Sequence, residues 1–213
     1  MYANGFMSAL DRAAIWITRM AHLNVLWLFY CLRGLVIGGF FPATVGCLSV
    51  ARKWLRGEQD VKVSEQMKKG YKQEFFTSNI LGWVMVLIGV VLYLNYQVMK
   101  ASTADIPFLV PFFFFAMLFF YLLVLVWAFP LMAHYNGGIL QHMKNAIVIG
   151  LTKLHISVAI SITLFSLVYL SLEYPTIILF FLFSLGSLIW YWLASRIFQK
   201  LDQSKSIQHN HSS

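Results

Sequence analysis

Charge is scarce in this sequence of 213 residues: 11% are charged, against about 25% in an ordinary soluble domain. Sixty per cent are apolar and the mean hydropathy is +0.71, which excludes a water-soluble globule. About 20 residues of helix cross a hydrocarbon core of about 30 Å, so the chain holds roughly six spans and leaves no room for a separate catalytic domain. Carboxylates are scarcest, eight against sixteen Lys and Arg. Between Phe75 and Ser195 the only ones are Asp105 and Glu173, both in short connections. Coupling to protons or sodium draws on an ionisable group inside the bundle, so a transporter driven by either ion is disfavoured. The sequence has no H-E-x-x-H and no G-x-S-x-G, which removes the usual zinc hydrolase and serine hydrolase signatures. Its two cysteines, Cys31 and Cys47, lie in apolar surroundings without metal-site or disulfide spacing and read as buried thiols.

What is there is an all-α pattern, a polytopic transmembrane bundle of about six helices. They are expected near 7–32, 42–56, 75–98, 107–133, 147–171 and 175–198, within a single domain over 1–198. The first enters amphipathically through Asp11, Arg12, Thr18, Arg19 and His22, with no cleavage site after the apolar run, so it reads as retained. Arg33-Gly34 and Gly38-Gly39 break it, and Pro42 opens the second. With about 14 apolar residues, that second helix is either a short crossing or a re-entrant element. A basic cytoplasmic loop is expected over 52–74, with seven cations and four anions, and a polar cytoplasmic tail over 199–213.

Counting Lys and Arg at alternate ends of the runs gives fourteen against two, the two being Arg33 and Lys100. The positive-inside rule then puts both termini in the cytoplasm of a multi-pass protein of the cell membrane. The cation excess thus reads as a topology signal, and nucleic acid is not an expected partner. Arg33 either snorkels from the end of the first helix or is buried against carbonyls freed at the glycine break.

The succession LNVLWLFYCL, GGFFPATVGCLSVARKWLRGE (Gly38 to Glu58), GYKQEFF (Gly70 to Phe76), WAFPLMA (Trp127 to Ala133) and HMKNAIVIGL (His142 to Leu151) resembles the YesL family of bacterial membrane proteins. The likeness runs over nearly the whole chain. It implies a small multi-helix protein common in Gram-positive bacteria, without established biochemical activity, often encoded beside carbohydrate importers of the ABC class. Relatives tend to have an apolar residue and a proline where this chain has Arg33-Gly34. The resemblance supplies no catalytic residues.

Two groups of residues remain as candidates. Lys68, Lys69 and Lys72 lie in a segment over 59–76 whose Val61, Met67, Tyr71 and Phe75 share an apolar side. It reads as an interfacial helix on anionic headgroups, as a plain connection, or as a docking element for a cytoplasmic partner such as the subunits of a carbohydrate ABC importer. The coupling pattern of ABC permeases, E-A-A…G, is absent from it. Lys153, Ser157 and Ser161 recur every four residues of the fifth expected span and line one face, either a polar path or a packing seam of small residues. His134, His142 and His155 lack zinc-ligand spacing and read as interfacial polar residues. The expectation is a non-enzymatic membrane protein without cofactor or metal, an accessory to carbohydrate uptake. The alternative is a small transporter or channel using the face of the fifth span.

Overall fold

A computed structural model describes residues 2–58, 60–102 and 107–211. Among these the chain is entirely helical apart from turns and connections, as expected, but with nine helices instead of about six. They are α1 (Tyr2–Arg33), α2 (Phe40–Leu55), α3 (Val63–Gln73), α4 (Phe75–Ala101), α5 (Leu109–His134), α6 (Ile139–Thr152), α7 (Leu154–Glu173), α8 (Pro175–Phe180) and α9 (Leu182–His211). Four segments are long and apolar enough to cross a membrane: Leu10–Arg33, Phe75–Ala101, Leu109–His134 and Leu154–Glu173. The expected carboxylate at 105 lies outside the described residues.

The additional helices come from interruptions. The polar segment contains α3. The span expected over 147–171 is divided at Lys153, whose backbone (φ −125°, ψ 46°) ends α6 before α7 begins. The span expected over 175–198 is interrupted at Phe181 and then continues as helix into the residues read as a polar tail.

α2 lies at the centre. Pro42, Ala43, Trp54 and every residue from Val45 to Ala51 are buried, and the helix packs against α1, α3, α4, α5 and α9. α1 and α2 form a hairpin, with Trp16 against Trp54 at one end and the Trp27 indole donating to Thr44 Oγ1 at 3.2 Å nearer the turn. At the turn, a Cβ on Gly39 would stand 2.3 Å from the Cys31 carbonyl oxygen, so only glycine permits the reversal. Leu35 and Val36 take positive φ (54° and 63°) there, an unfavourable conformation, most of all for a β-branched residue.

The turn is held by α4: Asn79 Nδ2 donates to the Gly38 carbonyl at 2.9 Å and Trp83 Nε1 to that of Ile37 at 3.2 Å. The α1–α2 connection therefore lies beside the first three turns of α4, and the remaining 18 residues of that helix, roughly 27 Å at 1.5 Å per residue, lie beyond it. The second helix, with 16 residues, is not among the four segments long and apolar enough to cross a membrane. The turn contacts put Arg33, which is exposed, at the end of α4 that follows the basic segment, opposite the end where the cation count had put it.

Away from this end, α4 and α5 run as an antiparallel hairpin, with Gly89 beside Tyr121 and Tyr96 stacked on Phe114. Val90, Val91, Leu94, Val98, Phe108, Phe112, Phe113 and Phe115 are all exposed. So continuous an apolar surface suits hydrocarbon, not water.

The break between α8 and α9 has a specific support. Asn24 of α1 is fully buried. Its Nδ2 donates to the carbonyls of Ile178 (3.1 Å) and Leu179 (2.6 Å), and its Oδ1 accepts from the amides of Phe183 (3.0 Å) and Ser184 (3.4 Å). One amide side chain thus serves two carbonyls and two N–H groups around the interruption. Such a break inside an apolar bundle is tolerated only when its backbone groups find partners.

Two outcomes are expected. Asn24→Leu, which removes a fully buried amide and the four hydrogen bonds it makes to the backbone, should lower unfolding stability in detergent by about 3 kcal/mol, read as a fall in the thermal midpoint. In a background with Cys31 and Cys47 replaced, Gly38→Cys with Asn79→Cys should cross-link on mild oxidation. A connection 33–41 at the far end of α4 would leave that pair unlinked.

Candidate functional site

Two glycines bring α3 onto α2. A Cβ on Gly70 would stand 2.6 Å from Ser49 Oγ, and one on Gly46 would stand 2.7 Å from Met67 Sδ. Val63, Met67, Gly70 and Tyr71 form the buried face of α3, with Tyr71 against Tyr30 of α1 at 4.8 Å between ring centroids. Of the readings of this segment, the interfacial one, with Met67 and Tyr71 toward the membrane, loses that apolar face to α1 and α2, which already occupy it. Lys68, Lys69 and Lys72 are exposed on the other side.

Between α2, α3 and the end of α5 lies a polar cavity of about 250 Å³. Its walls include Ser49 and Gln66, bonded at 3.3 Å, and Gln73 and Asn136, bonded at 2.9 Å. Arg52 lines it with its guanidinium fixed by Nη1 donating to the His134 carbonyl at 3.0 Å, while Nε is buried without a hydrogen-bond partner. Glu74, between α3 and α4, lines it too and is 9% exposed. Among the described residues no hydrogen bond or ion pair engages its carboxylate, and burial pushes its pKa above the ordinary carboxylate value. Lys53, Gln66 and Lys69 also line an adjoining open groove of about 680 Å³, where Lys53 pairs with Glu58 at 3.2 Å. Of the three candidate lysines, Lys69 alone borders both spaces.

Behind Arg52 a second polar cluster ties α9 to α5. His134 Nε2 meets Asp202 Oδ2 at 3.1 Å, and His134 Nδ1 is hydrogen-bonded to the Tyr191 hydroxyl. Tyr135 donates to Asp202 Oδ1 at 2.7 Å. A neutral His134 donating from Nε2 and accepting at Nδ1 satisfies both bonds. Burial, followed by the adjacent Asp202 carboxylate, raises the Tyr135 pKa and keeps its proton on the phenol. Among the described residues no group of three or more His, Cys, Asp or Glu side chains converges as a metal site would require.

The second candidate group is placed elsewhere. Lys153 stands at the joint between α6 and α7, so the three residues do not share one continuous helix. Ser157 is buried and accepts the Trp127 indole proton at 2.8 Å, and Ser161 donates to the Ser157 carbonyl at 2.9 Å. The Ser157 hydroxyl joins α7 to α5 and lines neither the cavity nor the groove. Sequence reasoning treated Glu74 only as one of four anions in the polar segment and passed over Asn24 within an apolar run. A lone amide in an otherwise apolar helix was the available signal for Asn24. Glu74 offered none, because its burial depends on α2 and α5.

The Glu74 pKa sets a pH dependence. A carboxyl raised in the folded state is tolerated when protonated and penalises folding as pH rises through the raised value. Glu74→Gln should therefore raise the thermal midpoint at neutral pH, and the difference from the parent should shrink as pH falls toward the ordinary carboxylate value. Equal midpoints across that range would refute the penalty.

Comparison with known proteins places the same elements in a shared frame. A family described as "Protein of unknown function, DUF624" matches residues 20–96, which contain all of α2 and α3 together with Glu74. The chain is similar to three uncharacterised proteins of Bacillus subtilis (strain 168). It is 33% identical to YteU over 190 residues, covering 88% of this chain and 84% of the relative. To YesL it is 32% identical over 201 residues, 94% of this chain and 93% of the relative. To YesV it is 30% identical over 186 residues, 87% and 89% of the two chains. No solved structure matches.

Proposed function

The chain belongs to the family of uncharacterised proteins that includes YesL and carries the DUF624 region, and from that membership we propose that it is a non-enzymatic accessory protein of the cytoplasmic membrane. In this reading it crosses the membrane several times with both termini in the cytoplasm, and it docks a cytoplasmic or membrane partner on its α2–α3 face. The partner class that the family resemblance implies is the carbohydrate ABC importer.

The observation that carries the docking reading is the state of α3. Its apolar face is filled by α1 and α2, so its outer side is a fixed polar surface. Lys68, Lys69 and Lys72 stand there next to a groove whose rim alternates Lys53, Glu58, Asp60, Lys62 and Glu65. Interspersed carboxylates weaken attraction to an anionic lipid surface, whereas mixed charge complements a protein surface and fixes its register. Anionic headgroups remain the second contact for the lysines. The transporter reading through Lys153, Ser157 and Ser161 finds less support, because the Ser157 hydroxyl is engaged with Trp127.

The test is co-purification from native membranes with the subunits of a carbohydrate ABC importer monitored. Changing Lys68, Lys69 and Lys72 together to Gln should reduce recovery of the partner several-fold while the thermal midpoint stays at the parent value. Purified protein that moves a sugar or ion across liposomes without other subunits, and loses that activity in Ser157→Leu with Ser161→Leu, would sink the accessory reading.

A further inference from the structure

Ser49, Arg52, Gln73, Glu74 and Asn136 line the cavity behind α3 and do not belong to the outer docking surface, which shares Lys53, Gln66 and Lys69 with it. A carboxylate that is 9% exposed and has no partner is costly to fold around. Such a group in a cleft, among donors already fixed in place, marks a functional site. Its surroundings are organised: Ser49 with Gln66 and Gln73 with Asn136 are bonded to each other, and Arg52 is anchored on the His134 carbonyl. Glu74 and Arg52 line the same space, yet no ion pair forms between them. We propose that this cavity is a binding site for one small hydroxylated carboxylate, whose anionic end takes Arg52 and Lys69 and whose hydroxyl donates to Glu74.

The class of ligand follows from charge and hydrogen-bonding type. Lys53 is already neutralised by Glu58, which leaves Arg52 and Lys69 against Glu74, an excess of one positive charge for the ligand to balance. Arginine and lysine only donate, and an ionised carboxylate only accepts. A ligand satisfying both walls therefore carries an acceptor anion and a separate hydroxyl donor. A neutral sugar lacks the charge, and a simple fatty acid lacks the donor. The volume of about 250 Å³ falls just below the range of drug-sized pockets, suiting one small molecule and excluding a peptide segment. Entry is from the groove on the polar face, which shares Lys53, Gln66 and Lys69 with the cavity. Lys69 belongs to both the docking surface and the cavity, whereas Lys68 and Lys72 border neither space, so the two readings are separated through Lys68 and Lys72.

The experiment is isothermal titration of the full-length protein in nanodiscs with gluconate, glucose and hexanoate. Gluconate should bind at one saturable site, with glucose and hexanoate at least about tenfold weaker, since each lacks one charge-assisted contact. Glu74→Gln and Lys69→Gln should each weaken gluconate by about tenfold, with circular dichroism confirming that both remain folded. The Lys68→Gln, Lys72→Gln double variant should bind gluconate like the parent. No binding of gluconate at millimolar concentration, equal binding of hexanoate, or unchanged gluconate binding in both Glu74→Gln and Lys69→Gln would overturn the proposal.

Discussion

Backbone amides and carbonyls in an apolar surrounding must find partners within the protein, and the interruptions in these helices are built around that requirement. At the α8–α9 break the partner is Asn24, which serves four backbone groups with one side chain. At the α1–α2 turn the partners are Asn79 and Trp83 of α4. In each case a residue distant in sequence supplies what the local chain cannot. The breaks are consequently tertiary contacts as much as local features, and they tie α1 to α9 and the α1–α2 hairpin to α4.

That arrangement positions the site. Because the turn at 34–39 is pinned to the start of α4, α2 runs through the middle of the bundle, and α3 returns along it through the Gly46 and Gly70 contact. The return brings Gln73 and Glu74 to the end of α5, where Arg52 already holds the His134 carbonyl. The polar cavity is the space these three elements leave, and the cluster of His134, Tyr191, Tyr135 and Asp202 fixes its floor from the side of α9. Buried polar networks of this kind raise the cost of any alternative packing, because a displaced member leaves its neighbours unsatisfied.

The distal halves of α4 and α5 follow a different logic. Most of their outward side chains are apolar and exposed, with Asn95 and Gln97 among the exceptions, a surface that suits hydrocarbon more than water. This exposed apolar hairpin and the polar region near Arg52 thus lie at opposite ends of α4 and α5.

Composition and run length by themselves indicated a helical chain with segments apolar enough to cross a membrane, because hydrocarbon admits long apolar helices and little else. Residue motifs along the chain were enough to indicate the family. The glycine break, the shortness of the second helix and the burial of Cys31 and Cys47 were also legible, since each depends on local residue type. Only the tertiary structure decided that the α1–α2 turn packs against the start of α4, that α3 spends its apolar face on α1 and α2, that Ser157 serves packing, and that Glu74 and Asn24 are buried. The reason is physical: periodicity reports which side of a helix is apolar but not what covers it, and the burial of a single polar residue is set by partners tens of residues away.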